Sequence, residues 1–204
     1  MNIITKTNIA ETRFLNLVST TYEDKNGKIK EWVSAERPGN QNAVVIVAIV
    51  NTVEKPSFGT TVDKLREEPR LVVIREFRVP IQGYEWGLPA GLIDPAQSIE
   101  DTAMRELKEE TGLTVGRFIR PVTPFVYNSS GLTPEAVSYA FVEATGEISD
   151  EFLHASEDIT AFLFTRDQVK NILDAAQNRQ LNKNLLVGSK AWLIFERFVK
   201  YGDI

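Results

Sequence analysis

Eight consecutive apolar residues, Ala43 to Val50, constrain this chain's fold more than any other segment. Six of them are β-branched, which favours an extended strand over a helix. The run is far too short to cross a bilayer. It reads instead as the buried core of a strand over Asn42–Val53, central in a sheet that helices must cover.

The remaining chain supplies partners for such a strand. Arg13–Glu23 and Lys28–Arg37 flank Asn26-Gly27, a strong hairpin turn, and Arg37-Pro38-Gly39-Asn40 marks a loop. Residues 54–68, with Pro56 and Gly59, read as an irregular connection, and Leu71–Val79 as the next strand. Pro80 to Leu88 leads to a helix. Short strands are expected from Leu113 to Tyr127, then a polar loop at Asn128–Glu135 and strands at Ala136–Ala144 and Ile159–Phe164. Thr165 caps a predicted helix to about Gln177, and Gly188 precedes another to about Val199. The expectation is an α/β (α+β) architecture, a mixed sheet between helices. An N-terminal β-hairpin extension (residues 1–39) would precede the main domain (residues 40–204).

The most informative side chains lie in Gly91–Leu113, GLIDPAQSIEDTAMRELKEETGL. Ser98 is a good N-cap, Glu100 and Asp101 suit the first turn, and Gly112 suits a left-handed C-terminal position. Ile99, Ala103 and Leu107 recur at four-residue spacing and face the core. Glu106, Glu109 and Glu110 share an arc of roughly 100° bordering that stripe. Glu106 and Glu110 are an i,i+4 like-charge pair, costing an isolated helix about 0.2–0.5 kcal/mol. Arg105 can offset part of this through Asp101 and Glu109. A solvated acidic face is the plain reading; a divalent cation, taking oxygen ligands and shared with phosphate, is the chemical one.

Here the segment resembles the Nudix box: Gly91, then Arg105-Glu106-Leu107-Lys108-Glu109-Glu110-Thr111-Gly112-Leu113 in register. One position departs, since the family's first glutamate is Gln97. That residue usually braces the box arginine, so a weaker brace on Arg105 is expected. The resemblance implies a Nudix-type α/β/α sandwich over roughly residues 40–204. It also implies Mg²⁺, or Mn²⁺, held by Glu106, Glu109, Glu110 and the Ala90 carbonyl. Arg105 and Glu109 count among the catalytic residues, and Gly91 among those lying against substrate.

Ile74-Arg75-Glu76-Phe77-Arg78-Val79-Pro80 and Leu88-Pro89-Ala90-Gly91 are similar to the ADP-ribose pyrophosphatase group. That likeness implies a nucleoside diphosphate sugar substrate whose diphosphate or sugar meets Arg78; a guanidinium fork matches phosphate oxygens. Arg75 is read as sharing the Arg78 face. Gly87 stands where an acid is common, with Glu85 two places earlier. In Lys28–Arg37, Trp32 resembles a tryptophan that stacks on adenine, often across a homodimer, and Arg37 one that reaches substrate. Tyr127–Glu135 resembles a loop carrying the general base, which makes Glu135 the candidate, although Ser130 replaces a marker proline. His154, the only histidine, reads as a surface or packing residue.

Composition narrows the class. The chain has 204 residues, 43% hydrophobic and 25% charged, enough for one domain with an extension. A net charge of −5 argues against general nucleic-acid binding. The absence of cysteine suits a reducing cytoplasm, and MNIITKTNIAE lacks the apolar core of a signal peptide. No membrane partner is expected. Cleavage of ADP-ribose to AMP and ribose 5-phosphate is the leading expectation. Alternatives are another nucleotide sugar, an oxidised nucleoside diphosphate, or a non-hydrolysing nucleotide sensor, which Gln97 alone favours.

Overall fold

The apolar run becomes the axis of the molecule. In this computed structural model, described over residues 1–53, 67–178 and 185–204, it lies within strand β4 (Ala43–Val53). Val44 to Ala48 are 1% exposed or less. The alternate side chains Val45, Val47 and Ile49 pack with Val169 and Leu173 of α2 (Arg166–Gln177) and Phe195 and Phe198 of α3 (Ser189–Tyr201). Val44, Ile46, Ala48 and Val50 pack with Ala103 and Leu107 of α1 (Ile99–Thr111). Helices therefore cover both faces, as a strand without a polar side requires.

Before β4 come β1 (Asn2–Ala10), β2 (Asn16–Glu23) and β3 (Ile29–Glu36), a three-stranded antiparallel sheet in the order β1-β2-β3. The expected hairpin is β2–β3. Its turn is fixed by Asp24, whose carboxylate accepts from the Asn26 and Lys28 amides at 2.8 and 3.1 Å. Strand β1 was not expected. All nine of its residues are exposed, so no buried face imposes the alternation by which a strand is read.

The remaining strands are β5 (Glu67–Arg78), β6 (Gly83–Gly87), β7 (Ala90–Leu92), β8 (Thr114–Phe118), β9 (Val126–Tyr127), β10 (Ala136–Thr145), β11 (Ile159–Phe164) and β12 (Leu186–Val187). They and β4 form one mixed sheet. Strand β4 runs parallel to β10 and antiparallel to β5 and β7, while β5 also pairs with β6 and β11. The connection expected at 54–68 lies outside the described residues up to 66; residues 67 and 68 already belong to β5. The helices start and stop where their caps sit. Ser98 accepts from the Asp101 amide, Thr165 forms a capping box with Gln168, and Gly202 ends α3 in a left-handed conformation. No described helix is long and apolar enough to cross a membrane.

Two long-range contacts join the first sheet to the loop after β9. The Ala35 amide donates to the Leu132 carbonyl at 2.9 Å, and Trp32 Nε1 donates to the Gly131 carbonyl at 3.1 Å.

Candidate active site

The C-terminal half of α1 packs beside β7, and two backbone features there need particular residues. A Cβ at residue 91 would fall 1.9 Å from the Glu106 carboxyl, so only glycine lets strand and carboxylate approach so closely. At Gly112 the backbone is left-handed (φ 76°), and a Cβ would meet Ser149 at 2.7 Å. The helix thus ends abruptly, its acidic face directed at the strand.

Glu110 is 8% exposed, and one carboxylate oxygen accepts from the Ala90 amide at 3.1 Å. Burial holds its carboxyl well above the ordinary range. Glu106, Glu76 and Glu157 push the same way, and the Ala90 amide opposes them. Burial also raises Glu106, against the pull of Arg105 and with a further push from Glu109 and Glu157. Glu76 on β5 is raised for the same leading reason. This is negative charge crowded into a poorly solvated rim without enough counter-charge.

Arg105 supplies what compensation there is, with Glu106 at 2.9 Å and Glu109 at 2.7 Å. The expected pair with Asp101 does not form, because Asp101 accepts from Ser98 Oγ at 2.7 Å at the cap. Nor does Gln97 brace the arginine. Its amide oxygen takes the Thr102 hydroxyl at 3.3 Å, and Arg105 Nε is buried without a hydrogen-bond partner. A neutral amide holds the guanidinium too weakly to win it from two carboxylates.

Among the described residues, no three acidic groups converge closely enough to enclose an ion as they stand. The donor set nevertheless suits a hard divalent cation. Carboxylate oxygens are the right ligand type, and burial and like charge make two of the groups costly to ionise, a cost that a cation would offset. The glycine at 91 keeps side-chain bulk out of the cradle.

A second group of residues is cationic. Arg78 pairs with Glu76 at 2.6 Å and with Glu85 at 3.5 Å. Arg75 does not share its face. Three residues apart on a strand, the two point to opposite sides, and Arg75 lies 4.1 Å over the Tyr84 ring. Arg37 pairs with Glu135, whose other oxygen accepts from Asn128 at 2.8 Å. Trp32, 52% exposed, borders a cleft of about 550 Å³ with Tyr22, Tyr127 and Ser130. A smaller cavity, about 40 Å³, touches Arg78, Glu85, Ala90 and Lys190, linking the cationic group to the acidic rim.

Three neighbours of the site are not placed there by the sequence reading. Glu157, in the loop before β11, adds its field to Glu106, Glu110 and Glu76. His154 is exposed, as expected of a surface residue, yet its Nε2 lies 3.9 Å from Glu109. Lys190, in the first turn of α3, faces Glu135, Arg78, Glu85 and Arg37. Each sits in a segment without a recognisable spacing, brought near only by the fold.

Fold and acidic rim together define a Nudix-type protein. A family model for the NUDIX domain matches residues 56–185, and the chain belongs to that family. It is 33% identical over 134 residues to an ADP-ribose pyrophosphatase of Saccharomyces cerevisiae, covering 66% of this chain and 54% of that one. It is 36% identical over 104 residues to the ADP compounds hydrolase NudE of Escherichia coli, covering 51% of this chain and 46% of that one. The chain thus spans about half the length of these curated relatives. A solved structure described as an ADP compounds hydrolase shares the fold, with a TM-score of 0.64 at 22% identity, covering 100% of this chain and 96% of that one.

Proposed function

We propose that this protein hydrolyses the diphosphate bond of a nucleoside diphosphate sugar, with ADP-ribose cleaved to AMP and ribose 5-phosphate. The observation that carries the reading is the seating of Glu106 and Glu110 against Gly91 and the Ala90 amide, beside a cation-bearing cavity. The named relatives support the substrate class.

In this reading Glu106, Glu109, Glu110 and the Ala90 carbonyl would hold Mg²⁺ or Mn²⁺. When bound, the ion lowers the pKa of water and neutralises phosphoryl charge. Arg78 and Arg37 hold the diphosphate in line for attack. Arg105 bridges Glu106 and Glu109 and orients both. Trp32, in the larger cleft, stacks on the base, as its exposed indole permits. Two loop carboxylates can take the proton. Glu135 is the one the motif suggests, but both its oxygens are engaged by Arg37 and Asn128. Glu157 is near enough to add its field to Glu106 and Glu110, and no described arginine or lysine is paired with it. We therefore assign the base to Glu157, and to Glu135 the orientation of Arg37. Residues 1–39 form an extension with many exposed apolar side chains, Ile3, Ile9, Phe14 and Val33 among them, consistent with a homodimer.

The test is direct. Purified protein with ADP-ribose and Mg²⁺ should release AMP and ribose 5-phosphate in equal amounts, and chelation should stop the reaction. Tight nucleotide binding without release would replace the hydrolase with a sensor.

A further inference from the structure

Among the cations around the site, Lys190 differs from the two arginines. Arg37 is taken by Glu135, and Arg78 by Glu76 and Glu85. No carboxylate among the described residues lies within 4.0 Å of the Lys190 ammonium. It is partly buried at the start of α3 and lines the cavity shared with Arg78, Glu85 and Ala90. Gly188, two residues earlier, keeps that wall thin: a Cβ there would crowd the Glu85 carboxylate at 3.2 Å.

The charges facing Lys190 are Glu135, Glu85, Glu76, Arg78 and Arg37. The carboxylates attract it only at a distance, because the arginines hold them in contact. An ammonium partly withdrawn from water and left without a contacting anion is less favourable than a solvated one, and an arriving anion offsets that cost. Burial accordingly depresses its pKa, and Arg78 and Arg37 add to that while Glu135 and Glu85 oppose it. Salt-bridge neutralisation, the ordinary role of a lysine near acids, does not describe this one. Its acceptors are already occupied.

We propose that Lys190 is a substrate-binding residue, a third cation that contacts the diphosphate between Arg37 and Arg78 and favours diphosphates over monophosphates. This rests on the nucleoside diphosphate sugar reading above. The diphosphate would draw the arginines off their carboxylates and give Lys190 the contact it lacks. A point-like ammonium donates in any direction, so it complements the fixed forks of the guanidinium groups.

The experiment measures ADP affinity by calorimetry for the wild type, Lys190→Met and Lys190→Arg, alongside ADP-ribose turnover. Loss of one charge-assisted contact should weaken ADP binding about tenfold in Lys190→Met. AMP binding should weaken less, and the affinity should depend less steeply on ionic strength. Lys190→Arg should recover most of the loss, which a purely structural role does not predict. Unchanged melting temperatures would show that both variants fold. ADP affinity equal in wild type and Lys190→Met, or no ADP binding by the wild type, overturns the proposal. Turnover decides the hydrolase reading separately, because ADP affinity is measured without any hydrolysis.

Discussion

Glu110 and Arg78 both lie beside Ala90 and both feel the charge of Glu76, yet the protein holds them by different means. Glu110 is almost buried, on a capped helix and against a neighbouring strand's amide. Arg78 has 47% of its side chain in water and leans on carboxylates from β5 and β6. The acidic side of the site is thus rigid and electrostatically strained, whereas the cationic side is an adaptable network. Chemistry should depend steeply on the first, and affinity and selectivity on the second.

The largest expected effect is on the acidic side. Glu110→Gln and Glu106→Gln should each lower turnover by about 10²–10³ or more, the scale of losing one electrostatic stabiliser. Near-normal turnover in both would break the contrast. Stability should move the other way. A carboxyl whose folded-state pKa is raised gives its full stabilisation below the ordinary value of 4.5, and loses it as pH rises through the raised value. In the metal-free protein the Glu110 contribution should therefore fall as pH rises through that raised value, so Glu110→Gln should lose less melting temperature over that range than the wild type.

Next comes the proton acceptor. Glu157→Gln should lower kcat by about 10²-fold, the usual scale for a general base. Glu135→Gln should act mainly on KM through the freed Arg37. The reverse pattern would return the base to Glu135. Smaller again is Trp32→Ala. Base stacking contributes about 1–3 kcal/mol, so KM for ADP-ribose should rise roughly tenfold while kcat changes little. A change in kcat alone would exclude stacking.

The smallest effect concerns Gln97. A carboxylate at this position would offer a charged partner to Arg105, whose Nε is buried and unpaired. Gln97→Glu should stabilise the protein by about 1 kcal/mol, seen as a higher melting temperature. No change would mean that Thr102 keeps that side chain in either form.

The same contrast explains what the sequence revealed. Glu106, Glu109, Glu110 and the caps lie on one helix, where periodicity fixes their relation before any tertiary fold exists, and Gly91 was legible from its spacing in the box motif. The strand at 43–53 was legible because burial on both faces leaves an unbroken apolar run. Strand β1 was not, since it buries nothing. The cationic side draws Arg37, Arg78, Glu135 and Lys190 from four distant segments, and only their motifs, where they had one, drew notice. Glu157 and Lys190 had none. The pairing of Arg75 with Tyr84 likewise depended on strand alternation across β5 and β6.

The most direct test titrates Mn²⁺ into the metal-free protein with ADP present, counting bound ions by electron paramagnetic resonance. Wild type should bind Mn²⁺ tightly, and Glu106→Gln and Glu110→Gln should lose that binding while remaining folded. Equal Mn²⁺ binding in all three proteins would contradict the assignment of the acidic rim as the metal site.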